Sequence, residues 1–210
     1  MRRCCTAGAL NIHCDLGNRL GQANALSGLG DLRRRAGDYA AAVQDLEQAL
    51  DIYRDLGNRH GQANALFCLG SLRQTTGEYP AATQDLEQAL DIYRDHGDRG
   101  AQALALNETG TLRRVTGDLA QAEACHQQAL DLARQIGSCH DEAHALAGLG
   151  RCALAAGHST QARAFLWQAL EIFQKIGAPE ASDVSRELAS HAEDEPPALP
   201  RATATYGRSV

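Results

Sequence analysis

The chain has 210 residues, 44% of them hydrophobic and 22% charged, a balance that supports a packed core and excludes general disorder. A net charge of −6 excludes a nucleic-acid binder held by a basic face. Met1-Arg2-Arg3 is followed by no apolar run, and no stretch approaches the roughly 18 apolar residues of a membrane span, so a cytoplasmic protein with no membrane partner and no direct contact with nucleic acid is expected. Aromatic residues make up only 4%, which leaves the core to Ala and Leu, both strong helix formers.

In chain order, the first predicted element is a half-repeat over 1–18. Ala9, Leu10, Ile12 and Leu16 match Ala49, Leu50, Ile52 and Leu56, so the chain opens in the second helix of a hairpin whose first helix is missing. This suggests a piece of a larger regulator. It also offers an exposed apolar edge at Leu10, Ile12 and Leu16 for self-association into a homo-oligomer.

From Arg19 the sequence repeats with a period of 40. Residues 19–58 lie on 59–98 without a gap, with 28 of 40 positions identical, and 99–138 and 139–178 are more divergent third and fourth copies. Glycines at 37, 77, 117 and 157, and at 17, 57, 97, 137 and 177, separate segments of helical length. Each repeat is thus predicted to be a helical hairpin with left-handed glycine C-caps. The residues that follow, Asp38, Glu78, Asp118 and His158 in one register and Asn58, Asp98 and Ser138 in the other, are predicted N-caps.

Within the second repeat, Ala63, Leu66, Leu69, Gly70 and Leu72 share one face of the first helix, and Ala82, Leu86, Ala89, Leu90 and Tyr93 one face of the second. Gly30, Gly70, Gly110 and Gly150 fall inside helices, where glycine costs about 1 kcal/mol relative to Ala. Close approach of the partner helix at Ala42, Ala82, Ala122 and Ala162 is the expected compensation. After Pro179 an amphipathic stretch with Ala181, Val184 and Leu188 is predicted to cap the stack over 179–192. Residues 193–210, with Pro196, Pro197 and Pro200, read as a disordered tail.

The run Leu66-x2-Leu69-Gly70, Gly77-Glu78-Tyr79, Ala82-x3-Leu86 and Ala89 resembles the tetratricopeptide repeat, and the likeness extends over 19–178. Leu stands where that motif has Trp, Arg73 where it has Tyr and Leu86 where it has Phe. The closing Pro is absent and the hairpin is six residues longer. These departures are similar to a long-repeat subclass found in actinobacterial regulators and animal spindle-orientation adaptors. The resemblance implies an all-α, right-handed α-solenoid of antiparallel hairpins that binds a protein or peptide ligand and is not an enzyme.

It further implies that the second, fifth, ninth and twelfth motif residues of each first helix face the ligand from a concave groove. These are Asn24, Ser27, Asp31 and Arg34 in the first repeat, and Asn64, Phe67, Ser71 and Gln74 in the second. The third repeat contributes Leu104, Asn107, Thr111 and Arg114, and the fourth His144, Ala147, Arg151 and Leu154. These positions vary between repeats while the second helices of repeats one and two share the block 44–55. The groove therefore mixes carboxylate-binding arginines, Arg34, Arg114 and Arg151, with an apolar anchor, Phe67.

No other motif points to chemistry. His140-x3-His144 places two imidazoles on one helix face, but Asp141 stands where a zinc protease has its Glu and no third ligand is evident, so a solvated first turn without metal is expected. Gly148-x-Gly150-x2-Ala153 lies inside a helix, with no preceding strand to make it a dinucleotide turn. Cys125-His126 lacks a third group to make a nucleophile and base. The seven cysteines form no CxxC pair, and Cys68 and Cys152 read as small apolar helix residues. No cofactor is expected. Asp51/Arg54, Asp91/Arg94 and Asp131/Arg134 are predicted weak surface ion pairs on the second helices.

Overall fold

The computed structural model describes His13 and residues 17–191. The half-repeat expected over 1–18, with its apolar edge at Leu10, Ile12 and Leu16, and the tail expected over 193–210 lie outside the described residues. Among the described residues from 17 on, nine helices follow in order: α1 Arg19–Arg35, α2 Tyr39–Asp55, α3 Arg59–Thr76, α4 Tyr79–Asp95, α5 Arg99–Val115, α6 Leu119–Ile136, α7 Cys139–Ala155, α8 Ser159–Ile176 and α9 Glu180–Ser190. The first helices α1, α3, α5 and α7 begin at 40-residue intervals. No helix among the described residues is long and apolar enough to cross a membrane.

Each first helix packs along its partner in a hairpin, α1 on α2, α3 on α4, α5 on α6 and α7 on α8, and each second helix packs against the next first helix. α9 closes the order by packing on α8, with Val184 and Leu188 buried. The first helices also touch each other directly, α1 with α3, α3 with α5 and α5 with α7, whereas no two second helices among the described residues come into comparable contact.

The joints are made by backbone conformation. All nine glycines of the two predicted series have φ between 63° and 90°, the left-handed region that L-residues with a Cβ avoid. The caps beyond them divide into two kinds. Asn18, Asn58, Asp98 and Ser138 each accept a hydrogen bond from the backbone N–H three residues on. Of the caps expected before the second helices, only Asp118 does so; Asp38, Glu78 and His158 make no side-chain capping bond.

The core recurs with the repeat. Ala42, Ala82, Ala122 and Ala162 are fully buried, as the in-helix glycines require, but the space at those glycines belongs mainly to a leucine. A Cβ on Gly30, Gly70 or Gly150 would lie 2.7–2.8 Å from Cγ of Leu46, Leu86 or Leu166, and next to the carbonyl oxygen of Ala42, Ala82 or Ala162 at 3.2–3.3 Å. The hairpin crossing is thus a leucine seated on a bare backbone. In the third repeat that leucine is His126, set against Gly110 and, from the following repeat, Gly148.

Two ladders tie the repeats together. Gln62 and Gln102 donate to the carbonyl oxygens of Tyr53 and Tyr93 at 3.2 and 3.0 Å, adding a second donor to last-turn carbonyls that already accept from the Asn58 and Asp98 backbone N–H groups. Arg73, at the position where the tetratricopeptide motif has Tyr, reaches Asp85 of its own hairpin at 2.5 Å and Glu47 of the preceding one at 2.6 Å. Arg33 pairs with Asp45 at 2.8 Å and Arg113 with Glu87 at 2.7 Å. Burial raises the Asp45 and Asp85 carboxyls above their ordinary range despite these arginines. The surface pairs Asp51/Arg54 and Asp91/Arg94 form at 3.4 and 3.3 Å. The third differs: Arg134 crosses to Glu142 at 2.8 Å, and Asp131 accepts from Gln127.

Candidate functional site

The residues singled out on the first helices lie on the layer formed by α1, α3, α5 and α7, and their side chains are engaged to very different degrees. In α1, Asn24 accepts the Tyr53 hydroxyl at 2.7 Å, and Ser27 Oγ lies 3.4 Å from the same oxygen. Asp31 holds both Arg34 at 2.8 Å and Arg35 at 2.9 Å. In α3, Asn64 accepts the Tyr93 hydroxyl at 2.8 Å, and burial keeps that phenol well above its ordinary pKa. Ser71 donates to Glu108 of α5 at 2.8 Å. Phe67 is half-buried against the core, and the Gln74 side-chain Oε1 is buried without a hydrogen-bond partner.

In α5, Leu104 is exposed, and Thr111 donates back to the Asn107 carbonyl at 3.0 Å. The Asn107 side chain turns inward to meet the His126 Nδ1 at 3.0 Å. His126 is buried, its Nε2 has no partner, and burial, then the charges of Arg114 and Arg151, lower its pKa to about 4. It is therefore a neutral imidazole at pH 7. In α7, His144 packs edge-on against Phe173 with ring centroids 5.1 Å apart; burial, then neighbouring His140, lower its pKa as well. Ala147 is buried, and Arg151 grips Glu187 of α9 with two nitrogens at 2.9–3.2 Å.

Three of the expected contact residues are thus largely spent within the chain. Asn24 and Asn64 serve tyrosines, and Asn107 serves His126. Of the arginines, Arg34 and Arg151 carry internal carboxylates, while Arg114 forms no ion pair among the described residues. Arg114 of α5, Arg151, Leu154 and Ala155 of α7 and Glu187 of α9 line a shallow depression.

Sequence reasoning missed the partners rather than the positions. Tyr53 and Tyr93 sit in the shared second-helix block and were legible as core, but their hydroxyls reach across the hairpin to a polar residue 29 positions earlier. Glu108, Glu180 and Glu187 carried no local signal. The free cysteines behave as read: Cys152 is buried and Cys68 half-buried against the core, and burial pushes both thiols up from their ordinary pKa, away from the reactive thiolate. Cys4, Cys5 and Cys14 lie outside the described residues.

The family model of the tetratricopeptide repeat matches residues 10–95 and 101–175. The chain belongs to the tetratricopeptide repeat family, with the all-α, right-handed solenoid of antiparallel hairpins expected of it, and its repeats make it a protein-interaction scaffold. No curated protein matches the sequence significantly. Among solved structures, the fold is similar to BtubC from P. vanneervenii, with a TM-score of 0.67 at 21% identity over 75% of this chain and 65% of that one. It is similar to a Rap protein in complex with Competence and Sporulation Factor, with a TM-score of 0.74 at 17% identity over 82% and 48%. A Podospora anserina kinesin-light-chain-like protein of nearly identical TPR-like repeats gives 0.65 at 20% identity over 81% and 85%. The chain spans just under two thirds of BtubC and about half of the Rap protein.

Proposed function

We propose that the layer of first helices binds an extended or helical protein segment carrying an acidic group, with Arg114 as the principal charge contact and Phe67 as an apolar one. The observation that carries this reading is Arg114: it stands at the edge of the depression between α5, α7 and α9 with no carboxylate of the described chain on it. An arginine fork left open beside a groove is suited to bidentate capture of a ligand carboxylate. The direct contacts between first helices, with no comparable contact between second helices among the described residues, support a stack curved toward this layer, which makes it the inner face. A similar solenoid has been solved with a bound factor, consistent with ligand capture by this architecture.

The remaining expected residues, Asn24, Ser27, Asp31, Arg34, Asn64, Ser71, Gln74, Asn107, Thr111, His144 and Arg151, form the walls and shape more than affinity, because most are held by partners in the chain. Such a module acts without catalysis, in the cytoplasm, as the sensor or scaffold of a larger regulator. The test is selection of a random peptide library displayed on phage against the immobilised chain. Recovered peptides are expected to be rich in Asp and Glu, and to bind Arg114→Ala about tenfold more weakly, the loss of one charge-assisted contact. Peptides that bind Arg114→Ala and Phe67→Ala as tightly as the unmodified chain would overturn the assignment.

A further inference from the structure

We propose that His140, His144 and Glu180 form a site for a divalent transition-metal ion, of the Zn²⁺ or Ni²⁺ kind, that fastens α9 to α7. The two imidazoles lie one turn apart at the start of α7, with ring centroids 4.5 Å apart. The missing third ligand comes from the next element: Glu180 opens α9, and one ligand atom from each of the three residues falls within 4.8 Å of the others. Glu180 Oε1 stands 3.8 Å from His140 Nε2 and 3.7 Å from His144 Nε2. Those gaps are too long for hydrogen bonds. They are close to the ligand-to-ligand edge, about 3.4 Å, of a tetrahedron with metal–nitrogen and metal–oxygen distances of about 2.1 Å.

Several neighbouring residues are consistent with this use. Glu180 Oε2 is buried and has no hydrogen-bond partner, an unusual state for a carboxylate oxygen that a metal charge on the same group would offset. In the first two repeats the residue at the place of His144 is Asn24 or Asn64, held by a tyrosine hydroxyl. In the fourth repeat the tyrosine is replaced by Phe173, which packs edge-on against both imidazoles and leaves their nitrogens uncommitted. The equivalent pairs earlier in the chain, Leu20/Asn24, His60/Asn64 and Gly100/Leu104, lack a second imidazole, so among the described residues the donor set belongs to this junction. Two imidazoles and one carboxylate favour borderline transition metals over Ca²⁺ or Mg²⁺, which take all-oxygen sets. His140 is half-exposed, so the fourth position opens to solvent.

The ion would act as a clip. α9 is a short helix with two buried residues, Val184 and Leu188, and its far half is already tied to α7 by Glu187 on Arg151. A metal at its first turn pins the other end and orders the rim of the depression that Glu187 helps to form. The experiment uses the full chain, stripped with a chelator, desalted and titrated with Zn²⁺ against a chromophoric indicator. Glu180→Gln, His140→Ala and the double variant are treated alike. The double variant supplies the background from thiols elsewhere in the chain. The unmodified chain is expected to bind one more equivalent of Zn²⁺ than the double variant, with melting temperature raised by the metal. Each single variant should bind that equivalent at least about tenfold more weakly, while the metal-free melts coincide. Equal stoichiometry in the unmodified chain and the double variant, or an extra equivalent retained at full affinity in Glu180→Gln, overturns the proposal.

Discussion

Replacing His126 with Leu restores in the third repeat the residue that stands at 46, 86 and 166, and the structure sets the size of the effect. In the folded chain His126 is buried, with Arg114 and Arg151 adding unfavourable charge, and its pKa is lowered from 6.5 to about 4. In the unfolded chain it returns to about 6.5. The folded state therefore prefers the neutral ring: stability is full above pH 6.5 and is lost as the pH falls toward 4, because only the unfolded chain takes up the proton. Between pH 8 and pH 5 the loss from this one group is about 2 kcal/mol. Urea unfolding of both chains at the two pH values isolates it, since the carboxylates Asp45 and Asp85 and the half-buried imidazole of His144 titrate alike in both. The Leu chain is expected to lose about 2 kcal/mol less over that interval. At pH 8 the two chains should differ by less than about 1 kcal/mol, because removal of the unpartnered Nε2 is offset by loss of the Nδ1 bond to Asn107. Equal pH dependence of the two chains would refute the reasoning.

At Gly70, alanine is expected to lower stability by about 1–3 kcal/mol, against the gain of up to about 1 kcal/mol that Gly→Ala normally brings inside a helix. The added Cβ meets Leu86 Cγ at 2.7 Å and the Ala82 carbonyl oxygen at 3.2 Å; the thermal melting temperature reads the sign directly. Arg73→Met strands the buried Asp85 and frees Glu47, and should cost about 2–3 kcal/mol in urea unfolding. Arg113→Met, whose partner Glu87 is half-exposed, should cost less than about 1 kcal/mol.

How much was legible in the sequence depended on how local the deciding interaction was. The glycine joints at 20-residue spacing could be read because a left-handed residue is a property of one backbone position. The buried faces, such as Leu66, Leu69 and Leu72, could be read because helical period alone selects them. The in-helix glycines announced a close contact, but the choice of Leu86 rather than Ala82 as the side chain filling the space depends on how two helices cross. The caps Asp38, Glu78 and His158 had suitable neighbours in sequence, yet the chain does not turn their side chains onto a backbone N–H.

The sequence by itself determined the class: a 40-residue period of paired amphipathic helices, whose faces and joints are carried by residues within a few turns of one another. Tertiary structure alone decided which polar groups remain available. Asn24 and Asn64 accept hydroxyls 29 residues away, Arg151 meets Glu187 36 residues on, and Glu180 is brought beside two histidines 36 and 40 residues before it. The tyrosine contacts form across a single hairpin and the glutamate contacts between α7 and α9, so the packing of one helix on another, rather than local sequence, sets them.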